Sequence, residues 1–379
     1  MLKRKFDKLN IETSILGFGC MRFPQNQDGS INEVLAEKMI DKAIANGVNY
    51  IDTAYPYHSG ASEPFVGRVL EKYHRDSYYL ATKLPMWKIN TKEDVYETFN
   101  EQLKRLNKDY VDFYLLHALN KDHFKKIKEL GIVEICEEFR RLGKIKYLGF
   151  SFHDSYDVFE EIINYYNWDF CQIQLNYMDT NIQAGLKGYE LTVQKNIPLI
   201  IMEPIKGGLL AKLPSTVSEI LDGSTNKKTD SSYALRYVAS FENVKVILSG
   251  MSEMEHVDDN LNTFNTYTPL TKEEFDRIDQ VVNELNRRVK NGCTGCRYCM
   301  PCPVGVNIPR NFYMWNEYGM YDDKNAFIER VQNLMKNEMF VDKCVKCGKC
   351  EKACPQNLSI RENLEQINKD YQKLLNETK

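Results

Sequence analysis

The sequence has no apolar run near the roughly 20 residues that a membrane-spanning helix needs, and its mean hydropathy is −0.49. It has no charge excess: 50 Lys and Arg stand against 53 Asp and Glu, a net charge of −3. That balance gives no electrostatic footing for nucleic acid. A secretory leader is not expected, because the basic start Met1-Leu2-Lys3-Arg4-Lys5-Phe6 runs into no apolar segment and reads as an opening hairpin or strand. No low-complexity tract is present, and no repeat beyond an alternating strand–helix period. A Gly-rich dinucleotide fingerprint is missing too, since Gly17-Phe18-Gly19 is too short for one. What remains is a globular chain of 379 residues, 43% hydrophobic, long enough for one large domain and one small one.

What is present in abundance is cysteine near the end of the chain. Eight of eleven cysteines fall in two runs, Cys293-x2-Cys296-x2-Cys299-x2-Cys302-Pro303 and Cys344-x2-Cys347-x2-Cys350-x3-Cys354-Pro355. Soft thiolates in fours select zinc or iron–sulfur. Zinc knuckles usually come as two pairs across a longer gap, whereas three close cysteines and a further fourth suit a cubane. The second run has the spacing and trailing proline of a bacterial ferredoxin run, so two [4Fe–4S] clusters are expected. In two-cluster ferredoxins the fourth cysteine of each run serves the other cluster. That rule assigns Cys293, Cys296, Cys299 and Cys354 to one cluster, and Cys302, Cys344, Cys347 and Cys350 to the other. Cys302 follows a gap of two rather than three residues and departs from the ferredoxin pattern. The segment between the runs looks helical over 324–337, which resembles the helical type of ferredoxin domain, and the tail over 360–379 reads as a charged, solvated helix packed back on the barrel. Such clusters need a reducing compartment, so the expected location is a cytoplasm. The ligands are expected to supply most of what orders this segment. Cys20, Cys136 and Cys171 read as buried core thiols.

Upstream, short apolar runs at 15–20, 48–53, 78–83, 111–117, 146–151, 170–176, 199–203 and 244–249 alternate with amphipathic stretches at 34–45, 93–106, 133–142, 158–166 and 232–241. Continuous apolar runs suit strands buried on both faces. Eight such units predict a (β/α)8 TIM barrel, with a doubly wound sheet as the alternative. The polar stretch 215–231 reads as a surface loop, short helix or lid. A helix is predicted over 271–290, with Thr271 and Glu274 forming a capping box. The expected division is a barrel over 1–268, a linker helix over 269–290, and a mostly helical, ferredoxin-like domain over 291–379.

Barrel active sites gather at the C-terminal ends of the strands. Asp52 ends the second predicted strand, Tyr57 follows in its loop, Lys83 ends the third and His117 the fourth. An ammonium beside a tyrosine stabilises tyrosinate and lowers its pKa. Asp52 would hold the lysine, His117 would orient a carbonyl oxygen, and the set would protonate that oxygen as hydride reaches carbon. Singly, each residue also has a plain structural reading, as a rim ion pair, an aromatic packed in Tyr55-Pro56-Tyr57-His58, or a core histidine.

The segments Asp52-Thr53-Ala54-x-x-Tyr57, Ser62-Glu63, Gly67, Ala81-Thr82-Lys83, Asp112-x-Tyr114-Leu115-Leu116-His117, Gly149-Phe150-Ser151 and Gln172-x-Gln174-x-Asn176-Tyr177 resemble the aldo-keto reductases over roughly residues 1–265. The resemblance implies a catalytic tetrad of Asp52, Tyr57, Lys83 and His117, an NAD(P)(H) cofactor and reversible reduction of a small-molecule carbonyl. It also implies nicotinamide contacts from Met21, Arg22, Asp52, Ser151 and Gln172, and phosphate contacts from the loop holding Pro204, Lys206 and Gly208. Gly250, Ser252, His256, Asp259 and Asn260 would meet the adenosine end. Met202 stands where many relatives stack an aromatic ring. Ser151-Phe152-His153 replaces a Ser-Asn pair, and Gly250 and His256 stand where 2′-phosphate-gripping basic residues are common.

A nicotinamide gives two electrons together, whereas a cluster takes one at a time. A flavin bridges the two, and a barrel can bind flavin without a separate motif. Three functions stay open on the sequence. The first is a nicotinamide-dependent reductase carrying electron-transfer clusters. The second is a ferredoxin-coupled reductase, with or without flavin, in which a redox partner protein feeds the barrel. The third is a non-enzymatic redox sensor.

Overall fold

The computed structural model describes residues 1–222 and 228–377. It divides into two compact units, Met1–Lys212 with Lys228–Phe275, and Leu213–Lys227 with Asp276–Lys379. Among the described residues no helix is long and apolar enough to cross a membrane.

The first unit opens with an antiparallel hairpin, β1 (Lys3–Phe6) and β2 (Ile11–Ser14). Eight parallel strands follow: β3 (Leu16–Gly19), β4 (Tyr50–Asp52), β5 (Tyr79–Leu84), β6 (Val111–Leu119), β7 (Ile145–Phe152), β8 (Phe170–Gln174), β9 (Leu199–Met202) and β10 (Val244–Gly250). They close into a barrel in which β10 pairs with β3. Every predicted strand run contributes one stave. The strands are buried on both faces, which is why they read as unbroken apolar runs. Phe6 from the hairpin, Tyr50, Phe113, Phe170, Ile200 and Val246 fill one layer of the interior. Phe6 meets Phe113 edge-on at 5.9 Å and is fully buried. The hairpin thus plugs the N-terminal mouth, and chemistry is left to the other end.

In chain order the helices up to residue 265 are α1 (Glu33–Ala45), α2 (Ser62–Val69), α3 (Lys92–Leu106), α4 (Lys121–Leu130), α5 (Ile132–Arg141), α6 (Tyr156–Tyr165), α7 (Gly185–Gln194), α8 (Ser215–Leu221), α9 (Asp230–Ala239) and α10 (Met254–Asn265), all but α8 belonging to the barrel unit. Thr91 and Asp94 close a capping box on α3, and Asn120 caps α4 through the His123 amide at 2.8 Å. The predicted capping box of α11 (Lys272–Arg287) is present: the Thr271 amide donates to Glu274 at 2.8 Å, and the Glu274 amide donates to Thr271 Oγ1 at 3.2 Å. Part of the expected loop 215–231 is helical as α8, and residues 223–227 lie outside the described residues. α8 groups with the second unit. The Arg277 guanidinium donates to the Ile220 carbonyl at 2.9 Å and Arg288 donates to Thr216 at 2.8 Å.

The second unit is helical: α12 (Ile308–Tyr321), α13 (Lys324–Lys336), α14 (Lys349–Lys352) and α15 (Ile360–Glu377). Asn307 and Asp323 cap α12 and α13. Phe312, Trp315, Phe327, Val331, Phe340, Leu364, Ile367 and Tyr371 are buried together between α12, α13 and α15. This corrects the expectation that the cysteine ligands supply most of the order: an apolar core holds the helices, and the cysteine runs are loops on its edge. A Cys347→Ser variant is therefore expected to keep 308–336 and 360–377 protease-resistant while cleavage concentrates within 293–302 and 344–354. Cleavage spread evenly over the three helices would overturn this account.

Candidate functional site

The barrel's open end collects the four residues singled out by pattern. Asp52 is the last residue of β4, Lys83 and His117 lie near the ends of β5 and β6, and Tyr57 opens the turn Tyr57–Gly60. His58 and Ser59 in that turn have φ of 51° and 54°. Such left-handed values are costly for residues with a Cβ and collect at functional sites.

Lys83 is fully buried. Its Nζ donates to Asp52 Oδ1 at 2.7 Å, to the Thr53 carbonyl at 2.9 Å and to Tyr57 Oη at 3.3 Å. An ammonium has three hydrogens and no lone pair, so all three are used. Tyr57 is therefore the acceptor in its contact with Lys83, and its own O–H points elsewhere. Burial alone would lower the Lys83 pKa, but the Asp52 and Tyr57 oxygens more than reverse this and it is raised. The Tyr57 hydroxyl is raised by burial, with Lys83 pulling it only part of the way back. This corrects the expected net lowering: proximity to an ammonium was legible, the depth of burial was not. His117 packs edge-on to Tyr57 at 6.2 Å and against Trp87 at 5.0 Å. Burial, then the Lys83 charge and the neighbouring His153 and His123, hold its pKa well below 6.5, so the ring is neutral.

Behind His117 the backbone is irregular. The β6–β7 register shifts between Leu116 and Leu119, and Ala118 has φ of 52°. The Ala118 amide donates to Ser151 Oγ at 2.8 Å, and its carbonyl lies 2.8 Å from His123 Nδ1. A carbonyl only accepts, so His123 carries its proton on Nδ1 in this contact.

The residues assigned by resemblance to the cofactor fall into two groups. Asp52 Oδ2, His117 Nδ1 and Gln172 Oε1 are buried polar atoms with no hydrogen-bond partner among the described residues. Buried acceptors left alone are costly, and the free oxygens of Gln172 and Asp52 thus fit a donor such as the N–H of a carboxamide. Met202 Sδ lies 3.3 Å from Gln172 Nε2. Gly207 and Gly208 have φ of 68° and 108°, with open space where a Cβ would stand. The rim near Met21, which is exposed, is stitched to the loop after β10. Ser252 Oγ donates to the Arg22 carbonyl at 2.8 Å, the Ser252 amide meets His256 Nδ1 at 3.3 Å, and a Cβ on Gly250 would come within 2.7 Å of the Arg22 side chain.

Other assigned residues are already engaged. Lys206 Nζ binds both oxygens of buried Asp179 at 2.6 Å, beside Pro204 in the loop after β9. Asp179 also accepts from Gln174 at 3.1 Å and Asn176 at 3.0 Å. Asn260 donates to Ser249 at 2.9 Å, and Asp259 accepts from Thr229 at 2.9 Å. Asp179, His123 and Trp87 were not singled out by sequence reasoning, and no local motif marks them.

In the second unit, Cys293, Cys296, Cys299 and Cys354 line one hollow. Cys302, Cys344, Cys347 and Cys350 line another, which Cys299 also borders. Both runs turn alike: Gly295 and Arg297 flank Cys296 with φ of 71° and 65°, and Lys346 and Gly348 flank Cys347 with φ of 54° and 74°. Left-handed turns of this kind make concavities lined by backbone N–H groups, a feature of Fe–S sites. Among the described residues no three His, Cys, Asp or Glu side chains converge tightly enough for a single metal ion. A thiol-ringed hollow suits a polynuclear cluster better than zinc's tight tetrahedron.

Residues 15–283 match the Aldo/keto reductase family and residues 292–369 match the 4Fe-4S dicluster domain. The uncharacterized oxidoreductase YqkF of Bacillus subtilis is 28% identical over 263 residues, 67% of this chain and 78% of its own length. Among solved structures, the holo form of aldo-keto reductase AKR11C1 from Bacillus halodurans superimposes with a TM-score of 0.63 at 28% identity, covering 74% of this chain and 96% of that one. An aldo-keto reductase from Klebsiella pneumoniae in complex with NADPH shares the fold, with a TM-score of 0.62 at 21% identity over 74% of this chain and 96% of that one. The chain therefore belongs to the aldo/keto reductase family, an oxidoreductase barrel followed by a 4Fe-4S domain.

Proposed function

We propose that the barrel catalyses reversible NAD(P)H-dependent reduction of a small-molecule carbonyl, and that the C-terminal unit holds two [4Fe–4S] clusters for electron transfer. The observation that carries the barrel reading is the direction of one hydrogen bond. Lys83 uses all three of its N–H groups, so Tyr57 accepts from it and keeps its own proton for a substrate. Asp52 fixes the ammonium, and neutral His117 offers one N–H to the same carbonyl oxygen. A bound nicotinamide would supply the hydride. Ser151, Gln172, Met21 and Arg22 would hold its ring end, Pro204, Lys206 and Gly208 its phosphates, and Gly250, Ser252, His256, Asp259 and Asn260 its adenosine end.

The crossed cysteine sets, with Cys354 joining the first run and Cys302 the second, support two clusters. The clusters would supply one-electron exchange with a redox partner protein. A second reading rests on Lys206: held by Asp179, it is not free for a phosphate. That favours a barrel fed by reduced ferredoxin, with or without flavin. Anaerobic titration separates the two. NADPH that reduces an aldehyde at catalytic rates supports the first, and tightly bound flavin with turnover only on reduced ferredoxin supports the second.

Replacing Tyr57 by Phe is expected to lower kcat/KM for carbonyl reduction by about 100-fold or more while nicotinamide still quenches protein fluorescence on binding. A variant within a few fold of the parent would sink the proton-donor role. The pH dependence is set by the same groups. His117 is neutral well below pH 6.5 and Tyr57 is protonated past pH 10. Reduction should therefore run flat from acid to mildly alkaline pH, and alcohol oxidation should climb as pH rises toward the Tyr57 pKa. An inflection in reduction near pH 6.5 that disappears in His117→Gln would contradict this.

A further inference from the structure

Beneath the open end lies a buried polar strut that the tetrad itself does not use. Glu63, on α2, is fully buried. Its Oε1 accepts from Thr82 Oγ1 at 2.7 Å and from Gln102 Nε2 at 2.9 Å, and its Oε2 accepts from Arg105 Nη1 at 3.0 Å. The same partners reach the catalytic elements. Gln102 Nε2 donates to the Lys83 carbonyl at 3.0 Å, and Gln102 Oε1 accepts from Tyr114 on β6, the strand that carries His117, at 2.9 Å. Arg105 Nη2 donates to the Gly60 carbonyl at 2.6 Å, in the left-handed turn that begins at Tyr57. Gly60 itself has φ of 94°, and a Cβ there would meet Arg105 at 2.5 Å. One carboxylate and one amide therefore link the Tyr57 turn, the Lys83 strand and the His117 strand.

We propose that Glu63 and Gln102 are positioning residues for carbonyl reduction: through the Lys83 carbonyl and the Gly60 turn they set the separation of Lys83 Nζ from Tyr57 Oη. This rests on the reading of Tyr57 as proton donor. None of the strut's atoms touches the Lys83 ammonium or the Tyr57 hydroxyl, so the action is geometric, passing through backbone. The side chains are also over-determined for mere filling. Gln102 makes hydrogen bonds with both ends of its amide, in a position where Met or Leu would pack equally well. The 3.3 Å contact between Lys83 and Tyr57 is the longest of the three that Lys83 makes, and so the one most easily lost to a small backbone shift. A displacement of about 1 Å in a catalytic constellation can cost about 100-fold in rate.

The test uses the full-length holoprotein with benzaldehyde and NADPH, and benzyl alcohol with NADP+ for the reverse direction. Gln102→Met keeps side-chain length and removes every hydrogen bond. Thr82→Val keeps the β-branched shape of a strand residue and removes one donor to Glu63. Gln102→Met is expected to lower kcat by about 10- to 100-fold with KM for NADPH within twofold, and to shift the alkaline rise of alcohol oxidation to higher pH as Lys83 loses hold of Tyr57. Thr82→Val should show the same shift in smaller degree, and it carries the test if Gln102→Met does not fold. If both folded variants lose only thermal stability, with kcat and the pH profile of the parent, the inference is overturned. If instead Tyr57→Phe keeps full activity, the proton-donor reading itself fails and takes the inference with it. The Tyr57 variant thus tells the two failures apart.

Discussion

Lys83 carries an ammonium into a place with no exposed surface, and that constraint organises the barrel's open end. Taking such a charge out of water costs several kcal/mol, even after relaxation. Only a carboxylate at contact distance and full use of the remaining hydrogens make it tolerable. Asp52 supplies the first, and the Thr53 carbonyl and Tyr57 hydroxyl supply the second. The geometry follows from neighbouring staves, since β4 pairs with β5 and β5 with β6. Three successive strand ends deliver Asp52, Lys83 and His117 to one spot. The plugged far mouth, with Phe6 against Phe113, leaves no second face on which the same residues could act.

The consequence for chemistry runs through hydrogen-bond polarity rather than through a lowered acidity. Had Lys83 lowered the Tyr57 pKa strongly, the phenol would lose its proton before reduction could use it. With burial the larger effect, Tyr57 keeps its proton across the neutral range, and on the proposed reading it would donate that proton to the substrate oxygen. Proton transfer can then be driven by negative charge growing on a carbonyl oxygen in a dry site, where electrostatic interactions are strongest. The neutral state of His117 has the same origin, since burial and the Lys83 charge both oppose an imidazolium.

Most of the architecture was legible because a barrel strand buried on both faces leaves an unmistakable apolar run, as at Val111-Asp112-Phe113-Tyr114-Leu115-Leu116. α4 was not singled out. Its ten residues carry only Phe124, Ile127 and Leu130 as apolar contacts among Lys, Asp, His and Glu, and the Gly131 that ends it looks like a loop signal. That Asp52, Lys83 and His117 meet at one end of the barrel could be read by counting strand ends. What pattern could not supply were partners far apart in sequence. Lys206 sits in a Gly-rich turn that suggests a phosphate grip, but Asp179, from the loop after β8, holds it. Asn260, assigned by resemblance to the adenosine end of a cofactor, donates to Ser249 near the end of β10.

The cysteine runs show the reverse case, in which local spacing says almost everything and the scaffold very little. The two runs differ in the gap before their fourth cysteine, yet residues on either side of Cys296 and Cys347 adopt the same left-handed pair. The shared turn, rather than the total spacing, shapes each hollow, so the short gap before Cys302 does not remove that thiol from the wall. Because α12, α13 and α15 bury their own core, the loops can be held in shape without being the reason the unit folds. Cys296 and Cys347 are exposed, while Lys83 and Asp52 are sealed from solvent. On the reading proposed above, that contrast would suit two kinds of chemistry: proton transfer beside a growing charge gains from excluding water, whereas one-electron exchange with another molecule would need an edge that the molecule can approach.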